Sequence, residues 1–148
     1  MTTINIRSLL LVEDNPQDEK LVLRALHKIN LLNGVDVVRD GQQALDYLFG
    51  EGEFADKKDH QLPAVVLLDI GLPRISGLDV LARLRAHPRT RQLPVVILTS
   101  SDEERDRLQS YENGANSFVR KPLDFIEFAE TVARLGVYWL LTNIPPEG

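Results

Sequence analysis

Short apolar runs along the chain alternate with segments in which apolar residues recur at helical spacing. The runs predict five strands, at Ser8–Glu13, Val35–Arg39, Ala64–Asp69, Pro94–Leu98 and, more weakly, Ser117–Arg120. The first, third and fourth runs are continuous, without polar alternation. Such runs are typical of parallel strands that are covered on both faces.

Segments with helical periodicity separate these runs. Asn15 and Pro16 form a favourable cap and first-turn pair for the first helix. The apolar stripes of the first four helices contain Val22, Ala25, Leu26 and Ile29; Ala44, Leu45, Leu48 and Phe49; Val80, Leu81 and Leu84; and, weakly, Leu108 and Tyr111. The last helix is predicted from about Asp124 to about Thr142. Strand and helix thus alternate five times, which predicts an α/β protein with a doubly wound (βα)5 parallel sheet.

The chain is expected to form a single domain, because its 148 residues are within the usual size of one domain. Its core is expected at about 8–135, and residues 136–148 extend the last helix and form a tail. The charged stretch Glu51–Leu62 is predicted to be an irregular, mobile surface loop.

Composition narrows the classes of partner. The net charge of −5 and the pI near 5.2 argue against nucleic acid as the main partner. No apolar stretch is long enough for a membrane span and the first residues do not resemble a signal peptide, so we expect a cytoplasmic protein that does not bind membranes. A cluster of arginines near the end of the third helix is interpreted as a solvated face: Arg83, Arg85, Arg89 and Arg91.

Polar residues follow four of the predicted strands. Glu13 and Asp14 end the first, Asp69 ends the third, the fourth leads into Thr99 and the fifth into Lys121. The carboxyl ends of parallel strands lie at one edge of the sheet, where ligands bind in such folds. Three carboxylates brought together there repel one another. A hard cation relieves that repulsion, and Mg²⁺ is the fitting ion, with Mn²⁺ as an alternative.

A carboxylate in this position can also act as a nucleophile toward phosphorus and form an acyl phosphate. Phosphoryl transfer requires mainly positioning and neutralisation of charge. We therefore interpret Asp69 as the phosphoryl acceptor and Glu13 and Asp14 as the metal side. Thr99 and Lys121 are interpreted as donors to phosphoryl oxygens. Glu13 and Asp14 alone could equally cap a helix, but their combination with the other residues favours the chemical interpretation.

Four motifs in order, VEDN (12–15), LLDIGLP (67–73), VVILTSS (95–101) and FVRKP (118–122), resemble those of the response-regulator receiver family. The resemblance runs from about Leu9 to about Leu135. It implies a flavodoxin-like sheet with the strand order 2-1-3-4-5. It also implies a two-component phosphorelay in which a sensor histidine kinase phosphorylates Asp69. The only reactions expected of the domain are its own Mg²⁺-dependent phosphorylation and dephosphorylation.

The same resemblance implies further roles. The backbone carbonyl of Gly71 completes the metal ligands, Lys121–Pro122 is a cis peptide, and Phe118 is a switchable aromatic. Phosphorylation recruits Thr99 and Lys121, and Phe118 fills the vacated space. The face formed by the fourth helix, fifth strand and fifth helix is thereby remodelled for protein binding. The long loop and the tail look like those of the small response regulators that partner bacterial phytochromes.

Other functions remain open on the sequence. One is a phosphotransfer intermediate that passes its phosphoryl group to another histidine protein. A phosphatase of the haloacid dehalogenase type would need a second acid two positions after Asp69, where this chain has Gly71. A flavin mononucleotide binder would need a phosphate loop after the first strand, where this chain has EDNPQDE.

The last predicted helix is apolar on more than one side. The stripe expected to dock it on the sheet contains Phe125, Ala129, Val132, Gly136 and Trp139. A second stripe, with Ile126, Val137 and Leu141, lies away from the first, and Tyr138 adds to it. This arrangement favours a two-fold homodimer through Ile126, Val137, Tyr138 and Leu141. The alternative is a tail that folds back over these residues.

Overall fold

The computed structural model describes residues 9–28, 34–57, 62–99, 111, 114–121 and 125–134. Within these ranges one sheet contains β1 (Leu9–Val12), β2 (Val35–Val38), β3 (Val65–Asp69), β4 (Val95–Thr99) and β5 (Ser117–Arg120). All four pairings are parallel, and the order is β2-β1-β3-β4-β5. The predicted α/β fold and strand order are confirmed.

Four α-helices connect or flank these strands in the described part of the chain. They are α1 (Pro16–Lys28), α2 (Gly41–Phe49), α3 (Gly77–Ala86) and a C-terminal helix (Phe125–Arg134). Side-chain caps start the first three, because Asn15, Asp40 and Ser76 each accept a hydrogen bond from a backbone N–H of the first turn. Leu108 and the predicted end of the last helix lie outside the described residues.

The core consists of two apolar layers, one on each face of the sheet, because successive strand residues point to opposite faces. On one face, α1 and the C-terminal helix cover Leu9, Leu67 and Leu98, among others. On the other, α2 and α3 cover Leu10, Leu68 and their neighbours. Burial of these apolar residues therefore fixes the register in which the strands pair. It also fixes where the strands end and where the polar edge of the sheet begins.

The predicted irregular loop is partly wrong. Gly52–Lys57 forms a short 3-10 helix, kinked at Phe54. The ring of Phe54 packs edge-on against Tyr47 of α2, with 5.2 Å between ring centroids, and Phe54 lies against the core layer of α2 and α3. This apolar contact holds the described first part of the charged segment, Gly52–Lys57, against the core.

The interpretation of the arginine cluster as a solvated face is wrong for Arg85. Its guanidinium donates to the backbone oxygens of Gly114 (2.8 Å) and Thr90 (3.1 Å) and to the side-chain oxygen of Asn116 (3.0 Å). Burial lowers the pKa of Arg85. The side chain therefore ties the end of α3 to the segment that precedes β5.

The C-terminal helix contributes to the core a residue that the predicted stripe does not contain; of that stripe, Ala129 has the only described side chain, and it is partly buried. Phe128 is fully buried in the core and Thr131 is nearly so, whereas Ile126 is 73% exposed. Val137, Tyr138 and Leu141, predicted to join Ile126 in an interface, lie outside the described residues. Within the described ranges, no helix combines the length and the apolar character needed to cross a bilayer.

Candidate functional site

The ends of β1 and β3 bring three carboxylates together. Val12 pairs with Leu68 across these adjacent strands, so Glu13 and Asp14 leave β1 beside Asp69, the last residue of β3. Burial differs sharply among them. Glu13 is 0% exposed, Asp69 is partly buried and Asp14 is exposed. The sheet thus presents one enclosed acid and two that solvent can reach.

These three acids have the geometry of a cation site. One carboxylate oxygen from each of Glu13, Asp14 and Asp69 lies within 4.8 Å of the others. Carboxylate oxygens are the ligands that hard divalent cations prefer. The donor set therefore fits a divalent metal ion, as the sequence predicted.

The Lys121 ammonium lies among the same carboxylates. Its side chain is 4% exposed and donates a hydrogen bond to Glu13. The nitrogen Nζ also lies 3.1 Å from Oδ2 of Asp18 and 3.6 Å from Oδ2 of Asp69. The second distance is that of an ion pair, too long for a good hydrogen bond. Lys121 thus neutralises part of the charge while bonding to the acids of β1 and α1.

The electrostatics of this cluster appear in the pKa of Glu13. The pKa of Glu13 is raised to about 7 in all: burial raises it most, the neighbouring Asp69 also raises it, and Lys121 lowers it. Burial lowers the pKa of Lys121, but its hydrogen bond to Glu13 and the charge of Asp69 outweigh burial and raise it overall. The carboxylates carry more negative charge than Lys121 neutralises, so a bound cation would stabilise the site.

The remaining predicted residues lie around Asp69. Thr99, at the end of β4, is buried, and its carbonyl accepts a hydrogen bond from the backbone N–H of Lys121 at 2.7 Å. Phe118 in β5 is partly buried against the layer of α2 and α3. Gly71 is exposed, and its N–H donates to Oδ1 of Asp69 at 3.1 Å. Pro122, and with it the predicted cis peptide, lies outside the described residues.

Close backbone packing fixes the segment that follows Asp69. The Gly77 N–H donates to the carbonyl of Ile70 at 3.0 Å. A Cβ at Gly77 would overlap the carbonyl oxygen of Asp69 and lie 2.8 Å from Cα of Ile70. The start of α3 therefore rests directly on the backbone of the acceptor residue, and only glycine permits that approach.

Arg74 adds a strained conformation to the same segment. Its φ of 69° is left-handed, which is uncommon for a residue other than glycine. Its guanidinium lies 3.7 Å from Asp40, the cap of α2. Strain of this kind is typical of segments near functional sites.

The structure brings to one edge of the sheet all five residues predicted from the strand ends: Glu13, Asp14, Asp69, Thr99 and Lys121. Asp18 was not among the predicted residues. A signal was available, since Asp18 lies four residues after Asp14 in the first turn of α1. Its proximity to Lys121, however, depends on how α1 packs against the sheet.

Comparison with known proteins agrees with this arrangement. Residues 9–133 match the family model described as the response regulator receiver domain. The curated response regulator Rcp1 from Synechocystis sp. is 33% identical over 138 residues, which cover 93% of this chain and 92% of Rcp1.

Solved structures show the same fold. The bacteriophytochrome response regulator RtBRR is 48% identical with a TM-score of 0.82, and the alignment covers 96% of this chain and 85% of RtBRR. AtBRR, also a bacteriophytochrome response regulator, is 49% identical with a TM-score of 0.81, covering 93% and 98%. The Mn²⁺-bound form of Rcp1 is 32% identical with a TM-score of 0.74, covering 95% and 99%.

Proposed function

We propose, since this chain belongs to the response regulator receiver domain family, that it is a phosphorylation switch whose acceptor is Asp69. Receiver domains take part in two-component signalling and accept phosphoryl groups from histidine kinases. The observation that carries the assignment is the convergence of Lys121 with Glu13 and Asp69 at one sheet edge. Asp69 is the acid of this group that combines access to solvent with a fixed strand-end position.

The reaction requires in-line attack by a carboxylate oxygen of Asp69 on phosphorus. An oxygen–phosphorus bond forms, the bond from phosphorus to the imidazole nitrogen of the donor breaks, and the leaving imidazole takes up a proton. Hydrolysis returns the site to its starting state, as water attacks phosphorus and inorganic phosphate and the carboxylate are released. Lys121 and the Thr99 hydroxyl would donate to the phosphoryl oxygens and reduce their charge.

Glu13, Asp14, Asp69 and the Gly71 carbonyl would hold Mg²⁺, with Mn²⁺ as a substitute. When bound, the ion neutralises negative charge on the phosphoryl group and the acids around it. The three carboxylates support this ligand set, because one oxygen from each lies within 4.8 Å of the others. Asp14 is exposed, so its side chain can be removed without opening a cavity in the core.

Asp14→Ala is therefore expected to weaken Mg²⁺ binding by ~10-fold or more, since a charged ligand is lost. Titration calorimetry measures the affinity directly. Phosphoryl labelling by acetyl phosphate should also disappear in excess chelator. Asp79→Asn, which removes a carboxylate from the exposed first turn of α3, is the matched control. Equal Mg²⁺ affinity in wild type and Asp14→Ala would contradict the ligand assignment.

The switch would act through Phe118. Phosphorylation recruits Thr99 and Lys121, and the partly buried ring of Phe118 fills the space that Thr99 vacates. Because Phe118 belongs to β5, and β5 contacts the C-terminal helix, the face that these two elements form with the predicted fourth helix would change shape. Moving such an equilibrium from 1:99 to 99:1 requires about 5.5 kcal/mol.

We further infer that the phosphoryl donor is a phytochrome-type sensor histidine kinase. The likeness to RtBRR and AtBRR, at 48% and 49% identity, supports this choice. Transfer rates from such a kinase and from an unrelated histidine kinase, each phosphorylated beforehand, test it. Faster transfer from the unrelated kinase would contradict the inference, whereas failure of both kinases would contradict the switch itself.

A two-fold homodimer through the C-terminal helix accounts for the exposed Ile126. The side chain is 73% exposed and begins an apolar stripe that the sequence continues beyond the described residues, and a stripe of this kind would favour burial against a second copy. Val137, Tyr138 and Leu141 would extend the same interface.

Ile126→Glu should shift the protein to monomers in sedimentation experiments at tens of micromolar, where an interface of about 8 kcal/mol is populated. Ala82→Glu, on the exposed side of α3, places the same charge elsewhere and should leave association unchanged. A wild type that is monomeric with and without acetyl phosphate would exclude the dimer.

A further inference from the structure

Asp18 occupies a fixed position in the first turn of α1. Asn15 caps this helix, and its Oδ1 accepts hydrogen bonds from the backbone N–H groups of Gln17 (2.9 Å) and Asp18 (3.1 Å). The cap sets the direction in which the Asp18 side chain leaves the helix. That side chain is 34% exposed, and its Oδ2 lies 3.1 Å from the Lys121 nitrogen. Asp18 thus contacts the proposed phosphoryl site, although it was not among the acids predicted to form it.

The bonds of the Lys121 ammonium are unequally shared among its acidic neighbours. Glu13 and Asp18 each accept a hydrogen bond, whereas Asp69 stands at the longer distance of 3.6 Å. An ammonium has three hydrogens to donate. A hydrogen is thus left for a phosphoryl oxygen on Asp69, but turning it there draws the nitrogen toward Asp69, now 3.6 Å away, and lengthens its bonds to Glu13 and Asp18. Of these two partners, Asp18 is the more easily released, because it is partly exposed to water whereas Glu13 is fully buried.

We propose that Asp18 is a positioning residue that holds Lys121 toward α1 in the unphosphorylated state and so opposes its capture by a phosphoryl group on Asp69. The proposal rests on the function proposed above. Release of the Asp18–Lys121 bond is then one of the costs of activation, and water can solvate the freed carboxylate. Asp18 thereby determines in what fraction of molecules Lys121 moves toward Asp69 at a given level of phosphorylation. It does so without touching the reacting atoms.

If Asp18 holds Lys121 in this way, removing its charge should raise the affinity of the site for anions that resemble a phosphoryl group. Removing the Asp18 charge leaves Lys121 free to turn toward Asp69. Beryllium trifluoride, which becomes tetrahedral when a carboxylate oxygen binds it and so stands in for the phosphoryl group, should therefore bind Asp18→Asn about fivefold more tightly than wild type, as expected for loss of one competing charged hydrogen bond that is partly screened. Asp18→Glu retains the charge and should restore an affinity close to that of wild type.

The control variant is Glu19→Gln. Glu19 lies in the same helical turn and carries the same charge, but it pairs with Arg39 at 3.1 Å and 3.2 Å. If Asp18 acted only through the charge of this turn, Glu19→Gln would also tighten binding. Glu19→Gln is expected to change the affinity less than twofold. Thermal unfolding of each variant establishes that the fold is retained, and Asp18→Ala serves as a second variant should Asp18→Asn be unstable.

A double-mutant cycle separates positioning from repulsion through space. Affinity is measured by calorimetry in saturating Mg²⁺ for wild type, Asp18→Asn, Lys121→Met and the double variant. The effect of Asp18→Asn should disappear when Lys121 is methionine. An effect of equal size in both backgrounds, or no tightening in Asp18→Asn, overturns the proposal.

The failure of this proposal is distinguishable from failure of the proposed function. Wild type that binds the anion and becomes labelled on Asp69, with no change in Asp18→Asn, overturns the role of Asp18 alone. Wild type that neither binds the anion nor accepts a phosphoryl group overturns both.

Discussion

Replacing Asp69 by asparagine is expected to abolish labelling by acetyl phosphate, with no more than background incorporation. The substitution removes the nucleophilic carboxylate but preserves the size of the side chain. An amide oxygen is a poor nucleophile toward phosphorus at neutral pH, so no acyl phosphate can form. Glu13 cannot substitute for it, because that side chain is fully buried and bonded to Lys121.

The control for this experiment is again Asp79→Asn, because Asp79 is an exposed acid at the start of α3, the helix that follows the acceptor segment. It should be labelled as fully as wild type. Circular dichroism should give the same spectrum for all three proteins, so that any loss of labelling reflects chemistry. Labelling of Asp69→Asn at the level of wild type would mean that another residue is the acceptor.

Gly77→Ala is expected to have the largest effect on stability, with a loss of ~3 kcal/mol in the free energy of unfolding. The added Cβ would overlap the carbonyl oxygen of Asp69 and come within 2.8 Å of Cα of Ile70. These are backbone atoms of a buried strand end, so they cannot move aside as a flexible side chain would. The variant should also be labelled more slowly, because the backbone of the acceptor must shift.

Gly71→Ala is the matched substitution. Gly71 lies in the segment between β3 and α3, yet a Cβ there meets no atom within 4 Å. Its stability should stay within about 0.5 kcal/mol of wild type. Chemical denaturation of the two variants measures the difference. Similar midpoints for Gly77→Ala and Gly71→Ala would show that the close approach of α3 to Asp69 is not rigid.

The parallel, doubly wound sheet could be predicted because three strand runs are apolar throughout, a pattern typical of strands covered on both faces, whereas the order of the strands was implied only by the resemblance to the receiver family. The site followed from the same reasoning, since a parallel sheet brings the residues after its strands to one edge. Local patterns carried less information where packing decides the outcome. Phe54 packs on Tyr47 and on the core from within a charged segment, and Phe128, which the predicted stripes did not contain, is fully buried in the C-terminal helix.

The finer features of the site depend on distances between elements. The role of Asp18 depends on how far α1 lies from Lys121, and that of Gly77 on how closely α3 approaches Asp69. Arg85 shows the same limit, because two of its acceptors, on Gly114 and Asn116, belong to a segment remote from it in sequence. Residue type and spacing predict which groups meet at an edge, but they do not predict which of them bond to one another.

Locating the phosphoryl group along the chain shows directly whether Asp69 is the acceptor. Borohydride reduces an acyl phosphate to an alcohol, which would convert phosphorylated Asp69 into homoserine. The protein labelled with acetyl phosphate in Mg²⁺ is reduced, digested and analysed by mass spectrometry. We expect homoserine at position 69 and at no other aspartate, and only when Mg²⁺ is present. Homoserine at Asp14 or Asp18, or phosphate retained on a hydroxyl or imidazole side chain with position 69 unmodified, would contradict the account.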